Sequence, residues 1–167
     1  MKVLGIDPGF ASLGWVEAES NLGGLAFTRV GCIHTKKDGD KPAARDLFDR
    51  CVELSTGIRE CNVPELLCVE AMSHPRNASS AVKLGASHGM LAAIASACFD
   101  CEVTMLSPFA ARKIVTGLKK PTEEETHAKL RHDFPELDEM VASLLKKDLP
   151  HIMDAAAQVV AWDITTR

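Results

Sequence analysis

No apolar run in this sequence of 167 residues is long enough to cross a lipid bilayer, since the longest covers only residues 89–99. The N-terminus also lacks the pattern of a secretory signal, because Asp7 interrupts its first apolar stretch. We therefore expect a cytoplasmic protein with no membrane partner, in which the six cysteines are reduced. With 46% hydrophobic and 25% charged residues, the composition excludes a disordered chain, a collagen and a disulfide scaffold.

The formal net charge of −4 is unevenly distributed along the chain. Residues 71–122 contain only two acidic residues against six basic ones, and no carboxylate lies between Glu70 and Asp100. A basic stretch inside an acidic protein predicts a local phosphate-binding face, with chance spacing of surface lysines as the alternative. The overall acidity argues against a non-specific nucleic-acid coat protein, which would gain affinity from every added Lys or Arg.

The chain length predicts a single domain over residues 1–167. Apolar runs bounded by turn signals predict strands over residues 2–7, 13–19, 25–34, 66–70 and 102–106. Helical periodicity and caps predict helices over residues 42–61, 77–98, 109–115, 122–132 and from 150 to the end. Hairpins come first and strands then alternate with helices, so we expect an α/β domain with a mixed five-stranded sheet and helices on both faces.

Two of the predicted strands end in a carboxylate, at Asp7 and at Glu70. Sites in α/β folds lie at strand ends, so these two acids are candidates for one site if their strands are neighbours. Close carboxylates repel each other and raise each other's pKa, and a divalent cation relieves that repulsion. The alternative for each acid alone is a strand-end side chain that faces water.

The last predicted helix carries His151 and Asp154, three residues apart and therefore on one face. The rest of that helix is apolar, so a polar pair on it needs partners, which a metal ion or a phosphate would provide. The alternatives are an exposed histidine in the first turn and an acid favoured by the helix dipole. Together with Asp7 and Glu70, Asp154 offers hard oxygen ligands that suit Mg²⁺ or Mn²⁺.

Two further features have structural explanations. Cys98 and Cys101 have the spacing of a zinc or redox pair, but no second such pair exists to close a tetrahedral site, so we predict reduced thiols. The helix over residues 77–98 is rich in Ala, Ser and Gly, including Gly85 and Gly89. Gly and Ser cost helix propensity, and the number of small residues predicts close packing, either in the core or across a dimer interface.

Three segments carry a resemblance to a known family: LGIDPGFASLGW at residues 4–15, VEAMSHPRNASSAVKLGASHG at 69–89 and HIMDAAAQVVAW at 151–162. A weaker match, PFAARKIVTG at 108–117, lies between the last two. In order and spacing these segments resemble the RuvC family of Holliday junction resolvases, within the RNase H-like superfamily. The run NASSAVKLG after Glu70 is the most specific part of the match.

The resemblance implies an enzyme that cleaves four-way DNA junctions as a homodimer, by paired symmetric nicks that leave 5′-phosphate and 3′-hydroxyl ends. It implies four catalytic and metal-binding residues, Asp7, Glu70, His151 and Asp154, and two Mg²⁺ ions per site, for which Mn²⁺ would substitute. His151 would act either as a metal ligand or as a proton shuttle. DNA contacts are implied for Arg76, Asn77, Ser80 and Lys83 on one side of the cleft, and for Arg112, Lys113, Lys119 and Lys120 on the other.

The sequence departs from the family pattern where many relatives carry an aromatic wedge, since Ser73 occupies that position here. Met72 is the alternative apolar wedge, and the chain has no tyrosine. These departures predict a divergent member that acts on a wider range of branched DNA. Rival hypotheses are a DNA-binding relative without nuclease activity, a nuclease acting on RNA, and an ATP-binding domain like those of sugar kinases and actin. The last would need a second domain and a second glycine-rich loop, which this chain lacks.

Overall fold

The computed structural model describes residues 1–72 and 77–167, and five strands and six α-helices lie in these ranges. The strands are β1 (Lys2–Asp7), β2 (Ser12–Asn21), β3 (Gly24–His34), β4 (Leu66–Glu70) and β5 (Glu102–Leu106). The helices are α1 (Ala43–Arg59), α2 (Ala78–Ile94), α3 (Pro108–Thr116), α4 (Glu123–Asp133), α5 (Pro135–Ala142) and α6 (Leu149–Thr166). The predicted α/β class is therefore confirmed, and most element ends differ from the prediction by only a few residues.

The five strands form one mixed sheet in the order β3-β2-β1-β4-β5. The first three strands pair as antiparallel hairpins, whereas β1 pairs in parallel with β4 and β4 with β5. The register places Ile6 beside Val69, so the residues that follow, Asp7 and Glu70, leave the sheet next to each other. This register confirms that the two strand-end carboxylates share one edge.

Helices cover both faces of the sheet because the side chains of β1 alternate between two hydrophobic clusters. Val3 belongs to the cluster that includes the buried face of α6, whereas Leu4 and Ile6 belong to the cluster beneath α1 and α2. Helix α6 comes so close to β1 that a Cβ atom at Gly5 would lie 2.6 Å from the carbonyl oxygen of Ala155. The absence of a side chain at Gly5 is thus what lets α6 lie across the centre of the sheet.

Two segments differ from the sequence-based predictions, and a third agrees with them. Helix α5 was not predicted, because its eight residues span little more than two turns and show too short a pattern. The helix predicted over residues 77–98 changes at Ala95 into a short π-helix, Ala95–Phe99, which Asp100 ends in the left-handed conformation at φ 49°. The start of the helix predicted over residues 122–132 is confirmed, since residues 123–125 form the first turn of α4 and Thr122 and Glu125 make a capping box.

The two glycines of α2 do not pack in the core, whereas Ser87 of the same helix is fully buried. A Cβ atom at Gly85 or at Gly89 would meet no atom of the described residues within 4 Å. By length and composition, the segment Ala78–Phe99 could also cross a membrane, a property that core helices of soluble proteins share. The sequence left two explanations for the small residues of this helix, packing in the core or packing across a dimer interface. Packing in the core is wrong for both glycines, and an interface with another molecule remains.

Candidate active site

Three elements bring the four predicted catalytic residues to one edge of the sheet. Asp7 ends β1 and Glu70 ends β4, while His151 and Asp154 lie in the first two turns of α6. Helix α6 reaches this edge because it also passes closely over β2, where a Cβ atom at Gly14 would lie 2.3 Å from the backbone of His151. The catalytic roles of these residues remain predictions, but the structure brings them together.

His151 is tied directly to Asp7. Its Nδ1 atom donates a hydrogen bond to Oδ2 of Asp7 over 2.6 Å, and this bond raises the pKa of the imidazole above its ordinary value. Burial raises the pKa of Asp7 in spite of the same hydrogen bond. Because Nδ1 is held by Asp7, Nε2 is the ring atom of His151 that remains to face a ligand.

Glu70 lies in an environment that disfavours its charged form. Burial, and then repulsion from Asp7 and Asp154, raises the pKa of Glu70 to about 8. Its backbone carbonyl is held from α2, since Nε2 of His88 lies 3.0 Å from that oxygen. The fold therefore fixes the position of Glu70, and the charge of Arg112 only partly offsets the effects that raise its pKa.

Asp154 is, in contrast, compensated by basic side chains. Nη2 of Arg112 donates to both of its carboxylate oxygens, over 3.0 and 3.2 Å, and also contacts Glu123 over 3.2 Å. Nε2 of His127 lies 3.7 Å from Oδ1 of Asp154. Burial alone would raise the pKa of Asp154, but His127 and the Arg112 guanidinium lower it below its ordinary value.

Glu123 and His127 were not predicted as part of the site. They lie four residues apart on α4 and therefore on one face of that helix, the only local signal that the sequence offers for them. In the structure, Glu123, His127 and Asp154 place ligand atoms within 4.8 Å of one another. The acidic cluster thus extends beyond the three predicted carboxylates to the N-terminal turns of α4.

The residues that were predicted to contact DNA lie in different environments. The four predicted lysines are exposed, at the end of α3, in the loop after it and on α2: Lys113, Lys119, Lys120 and Lys83. Asn77 is occupied locally, since its Oδ1 accepts a hydrogen bond from the backbone N–H of Ser80 over 2.9 Å as the N-cap of α2. Arg112 lies inside the acidic cluster instead of flanking it. Arg76 and the wedge position Ser73 lie outside the described residues.

Comparison with known proteins identifies the family. The family model for crossover junction endodeoxyribonuclease RuvC matches residues 3–165. The RuvC protein of Carboxydothermus hydrogenoformans is 28% identical over 161 residues, which cover 96% of this chain and 92% of that protein. The RuvC protein of Chloroflexus aurantiacus is 32% identical over 120 residues, 70% of this chain and 69% of that protein.

Solved structures show the same fold. The Thermus thermophilus RuvC in complex with a Holliday junction substrate has a TM-score of 0.75 at 18% identity, covering 99% of this chain and 96% of that chain. The yeast mitochondrial Holliday junction resolvase has a TM-score of 0.72 at 16% identity, covering 97% of this chain and 77% of that chain. At these identities the likeness concerns the fold alone, and it confirms the RNase H-like architecture. Because the family model spans almost the whole sequence, the chain belongs to the RuvC family of crossover junction endodeoxyribonucleases.

Proposed function

We propose that this protein resolves four-way DNA junctions by paired symmetric nicks, through metal-dependent hydrolysis of the phosphodiester bond. The observation that carries the proposal is the convergence of Asp7, Glu70 and Asp154 from β1, β4 and α6, in a chain that belongs to the RuvC family. Carboxylates crowded at one sheet edge are unfavourable in isolation and become favourable around cations. The same arrangement has no evident use in a protein that only binds DNA.

The donor set fits Mg²⁺, with Mn²⁺ as its substitute. Asp7, Glu70 and Asp154 would hold the ions through the hard oxygen atoms that both metals prefer, and His151 would be a further ligand unless it acts as a proton shuttle. Burial and repulsion from Asp7 and Asp154 raise the pKa of Glu70 to about 8, and a cation held among these carboxylates would lower it. Two Mg²⁺ ions bound by these residues would activate the attacking water and stabilise the leaving oxygen.

The chain's own residues orient the reacting groups. Asp7 fixes the imidazole of His151 through Nδ1, so that Nε2 is presented to the scissile phosphate as a proton-carrying or ligating atom. Arg112 holds Asp154 and Glu123 in place, and its positive charge lies where a DNA phosphate would approach. Arg76, Asn77, Ser80, Lys83, Lys113, Lys119 and Lys120 are proposed to contact the arms of the junction.

We propose that the active form is a homodimer that uses an apolar groove between α2 and β5, here called the α2–β5 groove. The groove has a volume of about 800 Å³, and its lining includes Gly89, Val103 and Met105. Val103 is 45% exposed and Met105 57% exposed on the edge strand β5. Exposed apolar side chains on an edge strand are unfavourable in an isolated subunit. A second copy of the chain would cover this surface, and a two-fold dimer matches the near two-fold symmetry of a four-way junction.

Two details of the proposal concern selectivity and location. Met72, 54% exposed and two residues after Glu70, is the proposed apolar wedge in place of the aromatic that Ser73 replaces. A flexible, smaller wedge discriminates junction centres less sharply, which favours cleavage of other branched DNA besides four-way junctions. We place the enzyme in the cytoplasm, with access to DNA.

The test is cleavage of an end-labelled synthetic four-way junction in Mg²⁺, beside a linear duplex, a fork, a structured RNA and an EDTA control. Asp7→Asn is expected to bind the junction with unchanged affinity and to lose cleavage, because it removes a charged oxygen ligand and keeps the fold. Asp40→Asn, an exposed acid in the loop before α1, is the matched control and should cut normally.

Each outcome distinguishes a rival. Paired nicks on the junction alone would establish a strict resolvase, and cutting of the fork as well would establish the broader branched-DNA nuclease. Tight binding without cleavage in Mg²⁺ or Mn²⁺ would replace the proposal with a non-catalytic DNA-binding relative. Preferential cutting of the RNA would move the protein to a different substrate class.

A further inference from the structure

A second group of metal-ligating side chains lies at the C-terminal end of β3, two strands from the acidic cluster, since Cys32 pairs with Gly14 and Gly14 pairs with Asp7. Cys32 and His34 are two residues apart on β3, so their side chains lie on the same face of the sheet. Asp148 immediately precedes α6. The Sγ atom of Cys32, a ring nitrogen of His34 and a carboxylate oxygen of Asp148 all lie within 4.8 Å of one another. We propose that these three side chains form a binding site for Zn²⁺ or a similar borderline-soft divalent cation.

The chemistry of the donors separates this site from the catalytic one. Thiolate, imidazole and carboxylate together are ligands that Zn²⁺ takes in proteins, whereas Mg²⁺ avoids sulfur. Around a tetrahedral Zn²⁺ the ligand atoms sit roughly 3–4 Å apart, so only a small shift closes the site. Three protein ligands leave a fourth position for water.

The surroundings of His34 suit a ligand. Its Nδ1 atom lies 3.1 Å from the hydroxyl of Ser12, the residue paired with it across the sheet. When Nδ1 donates to that hydroxyl, the lone pair of Nε2 faces Asp148 and Cys32, as in metal sites whose second ring nitrogen is held by an outer partner. The side chain of His34 is 37% exposed, which gives a cation a path from solvent.

Asp148 supplies an independent observation. Its side chain is nine-tenths buried, and Oδ1 lies 3.0 Å from Nε2 of His34 yet makes no properly oriented hydrogen bond within the described part of the chain. Burying a carboxylate oxygen that accepts no hydrogen bond destabilises the folded protein, unless a bound cation or a hydrogen-bond donor compensates for the lost water. Burial and the nearby charges of Asp148 and Asp7 also raise the pKa of Cys32 to about 12, which disfavours the thiolate. A divalent cation bound to the sulfur would offset this effect.

Binding would replace the thiol proton, so that Cys32–SH and Zn²⁺ give a zinc thiolate and one released proton. The bound ion would tie the end of β3 to the start of α6, three residues before His151. A clamp at that place would stabilise the folded protein by mass action. This inference does not depend on the proposed nuclease activity.

The experiment is titration of the purified full-length protein with Co²⁺, a spectroscopic substitute for Zn²⁺, in a large excess of Mg²⁺ that saturates the oxygen ligands of the active site. We expect a near-ultraviolet thiolate-to-cobalt charge-transfer band that added Zn²⁺ abolishes, together with a rise in Tm on adding Zn²⁺. Cys32→Ser should abolish the band, and His34→Asn should weaken Co²⁺ binding by roughly tenfold or more.

Cys98→Ser is the matched control, because Cys98 is exposed and remote from the site in the sequence, and it should keep the band. His34→Asn alters a partly exposed side chain and keeps the proposal testable if Cys32→Ser does not fold. Absence of a thiolate band in the natural protein would overturn the proposal. So would a band that persists in both the Cys32 and the His34 variants.

Discussion

At the scale of single residues, the burial of Glu70 beside Asp7 and Asp154 makes its ionisation unfavourable. In the unfolded chain this group titrates near 4.5, and in the folded protein at about 8. Between these pH values the folded state binds more protons than the unfolded state, so this group lowers stability as the pH rises. Binding of the proposed metal ion would reverse that cost, so function and stability would oppose each other at Glu70.

Glu70→Gln should therefore stabilise the metal-free protein while it abolishes cleavage. Relative to the natural protein, we expect a gain of about 1–2 kcal/mol on going from pH 5 to pH 9, discounted for partial solvent exposure of the group. The measurement is urea unfolding in EDTA at the two pH values. Glu139→Gln, an exposed acid on α5, should show no such pH-dependent gain. An equal pH dependence in all three proteins would contradict the placement of Glu70.

The cysteines give a second prediction at this scale. Burial raises the pKa of Cys61 to about 12 and that of Cys68 further still, whereas Cys98 is exposed. Since the thiolate is the reactive form, iodoacetamide should modify Cys98 first in the native protein. Mass spectrometry of the partly alkylated chain should locate that single fast site, and Cys98→Ser should remove the fast phase. Rapid modification of Cys68 would show that the β4 core opens.

At the scale of elements, the site is set by how closely α6 lies on the sheet. Gly5 and Gly14 offer no side chain where the backbone of α6 passes over β1 and β2. His151 stands directly over Gly14, so the position of the imidazole relative to Asp7 depends on that contact. The helix and the two strands therefore act as one unit that carries three of the four predicted catalytic residues.

Gly14→Ala should displace the start of α6, because its Cβ atom would come within 2.3 Å of the backbone of His151. We expect the cleavage rate to fall by roughly tenfold or more, since catalysis depends steeply on the position of reacting groups. Single-turnover cleavage of the junction is the measurement, with circular dichroism to establish folding. Gly39→Ala, where a Cβ atom would meet no described atom within 4 Å, should cut at the natural rate. Equal rates for both variants would argue against this account.

At the scale of the whole molecule, the two faces of the sheet are covered unequally. Helices α3, α5 and α6 contribute to a continuous cluster on one face, whereas the α2–β5 groove leaves apolar side chains exposed at the edge of the other. The β2–β3 hairpin forms the opposite edge of the sheet, and β1 and β4 separate it from β5. The groove is thus a surface of the proposed dimer, and the hairpin tip is not.

Gly89→Arg and Met105→Arg should each convert the dimer to a monomer, because each introduces a charge into the α2–β5 groove. Light scattering coupled to size-exclusion chromatography measures the mass. Leu22→Arg is the matched control, since Leu22 is fully exposed at the tip of the β2–β3 hairpin. A natural protein that is monomeric at micromolar concentration, or variants that remain dimeric, would contradict the proposed interface.

Much of the fold and the centre of the site could be predicted because their signals are local. The apolar runs that end at Asp7 and Glu70 mark two strands, and Thr122 with Glu125 marks the start of α4. The short spacing between His151 and Asp154 fixes them on one helix face without knowledge of anything else in the fold. Helix α5 escaped prediction because two turns are too short for a periodic pattern.

The sequence by itself determined the five strands, five of the six α-helices and the family motifs, since these depend on neighbouring residues within one or two turns. Only the tertiary structure decided that Arg112 would bind Asp154, 42 residues away, and that His127 would join them. It likewise decided the meeting of Cys32 with Asp148. Contacts of this kind depend on how whole elements pack, and packing is set by the summed burial of distant residues, which no local pattern records.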